Sequence, residues 1–446
     1  MNRIVLEVRR NGQTKELWVS LAEPDGHPEA GDFYPFRYRS ADPVPASFTT
    51  GAGDVREIGT YIVSMLEHHP SVRIALDAAL LASLGATTPV LVRLAPQAEA
   101  IPWETLFGNE TFLALDKRWP IGRLSTAGPG PAVPPRFGGA LRVMAVLAAA
   151  GLDATRQWEE LRDTLAALPF EVQVHLLVAQ DDLLATALAT SQGKLAVTAD
   201  YVPPGRELPA RITAFRPNIL HFFCHGGVQE GAAFLDIATR STVGDDRGGV
   251  QLELTDFPVV TVTSDLWLIV LNACQGALPT SGTASLVSAL AARGVPAVAG
   301  MREAVTEDDA HAFCRGFYRA LVPMLSPLAD SSGPVTVDWC DALHEARLEI
   351  CGLHKGNSPW STAARLIREW TLPVMYVQPA PFTIHPPSLP LQFASLARWL
   401  APDERAAREA ELQILRNLAA SDLGTPDHVL RLYQDRIATL EIMLAN

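Results

Sequence analysis

At 446 residues the chain is longer than one hydrophobic core usually organises, so two or three units are expected. An apolar fraction of 48% with 19% charged residues describes a folded globular protein and excludes a disordered one. The net charge of −13 argues against a chain-wide grip on nucleic acid or an anionic membrane, because phosphate binding needs a basic footprint.

The longest apolar run, Val143 to Leu152, is well short of the ~18–20 residues of a membrane span. The opening MNRIVLEVRR lacks the apolar core and small-residue cleavage site of a signal peptide, so a cytoplasmic location is expected. Five cysteines, Cys224, Cys274, Cys314, Cys340 and Cys351, are odd in number and show no C-x-x-C spacing. Most of them read as small buried hydrophobes, and no metal or other cofactor is expected.

In chain order, RIVLEVRR and ELWVSL alternate as a hairpin with Asn11-Gly12 at its turn. A helix is expected from Asp54, with Ile58, Ile62, Met65 and Leu66 on one face. PVLVRLA (89–95) reads as a strand, IPWETLF (101–107) follows it, and GPGPAVPP (128–135) is a linker. Strand and helix then alternate. Strands are expected at 141–150 and 172–178, with Asp153 capping a helix that carries Trp158, Leu161, Leu165 and Leu168, and a short helix near 181–190. After a polar, proline-containing connection comes NILHFFCHGG (218–227). A hairpin-like insert (232–257) separates it from LWLIVLNACQG (266–276).

The second of these strands leads into an expected helix over 282–294, then a strand at 295–301, helices at 307–323 and 337–353, and a closing strand at 372–377. Near-continuous apolar strands alternating with helices imply an α/β fold, a parallel sheet covered on both faces. Prolines between 379 and 390 form a second linker. The last ~55 residues are helical, with Leu430, Tyr433, Ile437, Leu440 and Leu444 at heptad-like spacing, a stripe for a neighbouring helix or a partner. The expected units are 1–127, an N-terminal α/β region; 138–378, a catalytic domain; and 391–446, a C-terminal helical segment.

Sites in open parallel sheets form outside the carboxyl ends of the strands, where His225 and Cys274 fall. A thiol nucleophile beside an imidazole is the arrangement that cysteine hydrolysis needs. A helix following Cys274 would favour negative charge on sulfur. Gly226 leaves a backbone N–H to face an oxyanion, and the N–H of Cys274 is the second donor. His221 and His225 share a strand face, but no third ligand is evident, so His221 is read as a core or supporting residue. Cys224 points the other way and is expected to be buried. Trp103 is read as a packing plug, and Glu104 as the partner of a nearby basic group.

Three motifs in order, Pro102-Trp103-Glu104, HFFCHG (221–226) and VLNACQG (270–276), resemble those of the CHAT family of caspase-like cysteine peptidases, in the clan of caspases, legumain, gingipains and separase. The resemblance covers about residues 1–378 and implies a caspase-like, mostly parallel sheet flanked by helices. It implies His225 as base and Cys274 as nucleophile, with no third acid. It implies Asn272, two residues before the nucleophile, as a substrate-binding residue, with Asp153 in the place where caspases carry an Arg. Asp153 is also read as a simple helix cap. A basic or uncharged P1 residue and not Asp is therefore expected. The family context further implies a regulated protease with a protein substrate, often in bacterial defence, held in check by a partner on the C-terminal helices. The competing expectations are an inactive caspase-like scaffold and a hydrolase of small amides.

Overall fold

The computed structural model describes residues 3–14, 16–22, 33–36, 55–81, 87–125, 135–191, 193–205, 207–229, 232–245, 249–257, 265–273, 285–331, 333–354 and 367–386, together with 409, 412, 413, 415, 416, 434, 437 and 440. The chain divides into two compact units, Met1–His385 and Pro386–Asn446.

The first unit opens with β1 (Ile4–Arg10), β2 (Leu17–Ala22) and β3 (Tyr34–Phe36), then α1 (Val55–Leu66), α2 (Pro70–Leu80) and β4 (Val90–Leu94). A short hairpin of β5 (Phe107–Gly108) and β6 (Thr111–Phe112) precedes β7 (Ile121–Leu124). Next come β8 (Ala140–Leu147), α3 (Thr155–Ala166), β9 (Glu171–Val178), α4 (Asp181–Leu188), β10 (Leu195–Tyr201), α5 (Glu207–Phe215) and β11 (Ile219–Gln229). The hairpin β12 (Ala232–Ile237) and β13 (Val250–Glu253) leads to β14 (Leu268–Ala273), α6 (Leu286–Ala292) and β15 (Ala297–Met301). The unit closes with α7 (Glu307–Leu325), β16 (Val335–Val337), α8 (Asp341–Leu353), β17 (Pro373–Val377) and β18 (Phe382–Ile384).

One sheet runs in the order β10-β9-β8-β11-β14-β15-β17-β7-β4-β1-β2-β3. From β10 to β15 every pairing is parallel. β17 then pairs antiparallel with β15 and parallel with β7, and β7, β4 and β1 continue in parallel. The expected closing strand therefore joins two oppositely running parallel blocks instead of extending one. The N-terminal strands belong to the same sheet as the later ones.

The polar, proline-containing connection before β11 holds a strand and a helix, β10 and α5. β10 is an edge strand in which buried Leu195 and Val197 alternate with exposed Ala196, Thr198 and Asp200, so no continuous apolar run marks it. The first hairpin has a longer connection than a two-residue turn: Asn11 Oδ1 accepts from the N–H groups of Gln13 and Thr14, and Arg10 pairs with Leu17. The helix expected from residue 282 begins at Leu286, because the Ser285 side chain accepts from Ser288 N–H and caps it. The other expected helix near 337 begins at Asp341, with β16 before it.

Strand side chains alternate between two cores. On β11, Ile219 and Phe223 face the core shared with α3, α7 and α8, while Leu220, Phe222 and Cys224 face the one under α5, α6 and the β12–β13 hairpin. Both faces of the parallel block are thus covered, which is why its strands read as continuous apolar runs.

In the second unit, Leu412 and Leu440 are buried together, with Leu415 and Ile437 packed on them. Ile437 and Leu440, two members of the expected stripe, are thereby used inside the unit. Leu430, Tyr433 and Leu444 lie outside the described residues, as do the 128–134 part of the first linker and the 387–390 part of the second.

Candidate active site

β8, β9 and β10 run outward to one side of the sheet, and β11, β14 and β15 to the other. The order reverses between β8 and β11, and in parallel sheets the crevice at such a reversal is where ligands bind. Ala150 follows β8 there, and His225 lies where β11 leaves its neighbours. Their relation is direct: His225 Nε2 lies 2.7 Å from the Ala150 carbonyl oxygen. A carbonyl only accepts, so Nε2 is the donor, and in the neutral ring the lone pair is on Nδ1.

Up to Phe223, β11 has β8 on one side and β14 on the other; Phe223 lies beside Asn272, and Cys224 beside Ala273. Beyond that point β11 pairs with β12, so that His225 stands opposite Asp236 and Gly226 opposite Leu235. Gly227 lies against the Phe234 ring: a Cβ there would lie 2.6 Å from the ring's far end and displace it. Cys274 and the other residues from 274 to 284 lie outside the described residues, and with them the expected nucleophile and its oxyanion N–H. The helix-dipole argument for Cys274 does not transfer to α6, which starts only at Leu286.

The other four cysteines are all buried. Burial pushes the Cys314 and Cys340 thiols well above their ordinary range, which makes them poor nucleophiles.

Asn272 is buried, and its Nδ2–H donates to the Ala310 carbonyl in the first turn of α7 at 2.9 Å. Among the described residues its Oδ1 has no hydrogen-bond partner. Asp153 accepts from Thr155 N–H at 2.9 Å, a local turn bond leading into α3, but the N-cap itself is Ala154 and no side chain caps the helix, so the expected Asp153 cap is displaced by one residue. Those hydrogen bonds hold its carboxyl below the usual range. Asp153 also lines a cavity of about 480 Å³ with Gln180, Asp181, Asp182, Arg240 and Val243. Within it Asp181 is already engaged by Arg240 at 2.9 Å and by the Tyr201 hydroxyl at 2.6 Å.

His221 is fully buried under this site, in a chain of polar contacts that spacing could not reveal. His311 Nδ1 meets Gln157 Oε1 at 2.9 Å, Gln157 Nε2 meets His221 Nε2 at 3.1 Å, and His221 Nδ1 meets the Tyr318 hydroxyl at 3.0 Å. Burial drives the His221 pKa down to about 3, so the ring is neutral. Cys224 is buried on the opposite face.

Trp103 is fully buried against Phe36, with its indole N–H on the Ala98 carbonyl at 3.0 Å. Glu104 has its basic partner in Arg123, with Arg302 nearby at 3.7 Å. Among the described residues no three His, Cys, Asp or Glu side chains converge on a metal position. Sequence reasoning missed Gln157, Gln180 and the Ala150 carbonyl; a backbone acceptor leaves no residue signature.

The profile of the CHAT domain family matches residues 72–401. No curated protein matches the chain. Among solved structures, a chain of the Saccharomyces cerevisiae separase–securin complex is 12% identical with a TM-score of 0.33; the match takes in 72% of this chain and 17% of that one. A structure described only as a protease is 12% identical with a TM-score of 0.42, over 76% of this chain and 71% of that one. The Arg-specific cysteine proteinase gingipain R is 11% identical with a TM-score of 0.38, over 66% and 64%.

Proposed function

This chain belongs to the CHAT domain family, and on that footing we propose that it is a caspase-like cysteine endopeptidase with Cys274 as nucleophile and His225 as base. One observation carries the reading. Cys224 and Ala273, each one residue before a dyad member, are register partners at the carboxyl ends of adjacent parallel strands.

The thiol proton passes to His225 Nδ1, and the thiolate attacks the peptide carbonyl. The N–H groups of Gly226 and Cys274 receive the oxyanion, and His225 returns the proton to the leaving amine. Water then releases the acyl-enzyme. Asp153 and Asn272 bound the pocket for the P1 side chain. The negative charge of Asp153, with Asn272 neutral, favours a basic or uncharged residue there.

No helix among the described residues is long and apolar enough to cross a membrane. A regulatory protein partner would read the outer face of the C-terminal helices, since Leu412 and Leu440 are buried within that unit. A role in bacterial defence follows only from the habits of the family.

A fluorescent thiol-reactive probe tests the assignment. Labelling should fall on Cys274, vanish in Cys274→Ala, drop in His225→Ala, and persist when any buried cysteine is replaced. A wild-type protein that cleaves no polypeptide and whose Cys274 labels no faster than a free thiol would point instead to a scaffold.

A further inference from the structure

We propose that Gln180 is a positioning residue for the His225 imidazole, acting through the backbone turn that links β8 to α3; the proposal rests on the dyad reading above. The turn spans residues 148–154 and supplies the carbonyl, at Ala150, that receives His225 Nε2–H. A base fixed by a backbone carbonyl is only as well placed as the turn that carries it.

The turn is pinned at its start by sheet bonds, from Ala148 N–H to the Phe223 carbonyl at 2.9 Å and from Ala238 N–H to the Ala148 carbonyl at 2.8 Å. Its middle contains Gly151 at φ +71°, a left-handed residue directly after Ala150. A peptide flanked by such a residue rotates easily, so the direction of the Ala150 carbonyl is not set by local geometry alone. Gly151 N–H donates to the Val243 carbonyl at 3.0 Å. That bond acts on the same peptide plane as the Ala150 carbonyl, and Leu152 N–H adds a weaker one to the Ala149 carbonyl at 3.4 Å. On the far side of Gly151 the turn is held by a side chain. Gln180 Nε2–H donates to the Leu152 carbonyl at 3.0 Å, while its Oε1 accepts from Ala154 N–H at 3.3 Å. Donor and acceptor ends meet opposite partners, which fixes which way the amide faces.

The choice of residue supports this role. Gln180 occupies the N-cap of α4, where Ser, Thr, Asp or Asn would ordinarily bond the helix's own first turn. It makes no such bond. The extra methylene of Gln relative to Asn lets the amide cross to the next strand's loop instead. The helix forgoes a cap, and the turn beneath His225 gains a clamp on both sides of Asp153.

The test uses the full chain, 15N-labelled at histidine, with Gln180→Met (same length, no hydrogen bonds) and Gln180→Glu (keeps only the acceptor). Wild type should show a protected, downfield Nε2–H resonance that His225→Ala removes. Gln180→Met should lose that protection, and its Cys274 should react with iodoacetamide about tenfold more slowly near neutral pH, with an altered pH profile. Gln180→Glu should behave in the same direction. If Gln180→Met does not fold, Gln180→Glu decides the matter by the same resonance and rate. A protected His225 Nε2–H and an unchanged alkylation profile in a folded Gln180 variant would overturn the proposal. So would a wild type without that resonance. If Cys274 alkylation ignores His225→Ala, the dyad reading fails, while the resonance still decides whether Gln180 holds the ring.

Discussion

Glu104 grips Arg123 with both carboxylate oxygens, Oε1 to Nε and Oε2 to Nη2 at 3.0 Å each, and both side chains are fully buried. Burial alone would raise the Glu104 carboxyl; the charge and hydrogen bonds of Arg123, helped by Arg302 and Arg347, pull it below its ordinary value. Arg123 also donates to the carbonyls of Glu99 at 2.8 Å and Ile101 at 3.3 Å, which ties β7 to the Pro-Trp-Glu segment. The third residue of that motif thus holds one fully desolvated charge.

Removing one partner leaves the other charge buried and uncompensated, so Glu104→Gln and Arg123→Met should each cost about 3–5 kcal/mol of unfolding free energy. The double variant should cost less than the sum of the two. Urea unfolding monitored by tryptophan fluorescence measures all three. Additive losses would mean that the two side chains are not coupled as their geometry requires.

His221 gives the acid limb of stability a definite sign. Its pKa is about 3 when folded, against an ordinary value of 6.5. Below pH 6.5 the unfolded chain takes up a proton that the folded ring refuses, so stability is lost as pH falls from 6.5 toward 3. Between pH 7 and pH 5 this group should remove roughly 2 kcal/mol. His221→Gln should be less stable at pH 7 but should show a shallower fall over the same interval. His311 is pushed the same way by its burial and keeps part of the slope in the variant. Equal slopes in the two proteins, from denaturant titrations at each pH, would remove His221 from the account.

How much of this was legible in the sequence depends on where the information resides. The central strands announced themselves because both faces are buried and every residue from Leu268 to Ala273 is apolar or Asn. β10 was missed because its exposed residues, Ala196 and Thr198 among them, broke the apolar run at an edge. The antiparallel join of β17 to β15 had no local signal, since strand direction is a property of the partner. At the site, His225 was readable from its position after an apolar strand. What fixes its ring was not, because the Ala150 carbonyl is main chain and Gln180 lies 45 residues earlier in an unremarkable helix start. Asn272 was read as facing substrate, yet its amide is committed to Ala310, leaving Oδ1 as its only uncommitted polar atom.

Charge at the β9 end of the site predicts which peptides are cut. Asp153 is held ionised by its hydrogen bonds from Thr155, and Asp182 stands in the same cavity of about 480 Å³. The single arginine there, Arg240, is paired with Asp181 and so offers little to an acidic ligand. An Asp side chain at P1 would face uncompensated negative charge, while Lys, Arg or a neutral residue would not. Asp153→Asn separates charge from structure, because the Asn side-chain oxygen can still accept from Thr155 N–H. A proteome-derived peptide library cut by the wild type should be depleted in P1 Asp. The Asn variant should accept P1 Asp several-fold better, with its thermal midpoint little changed, since one partly screened charge is worth about 1 kcal/mol at this range. A wild-type profile dominated by P1 Asp would sink the assignment of Asp153 to the pocket and leave it with only its turn bond to Thr155 N–H.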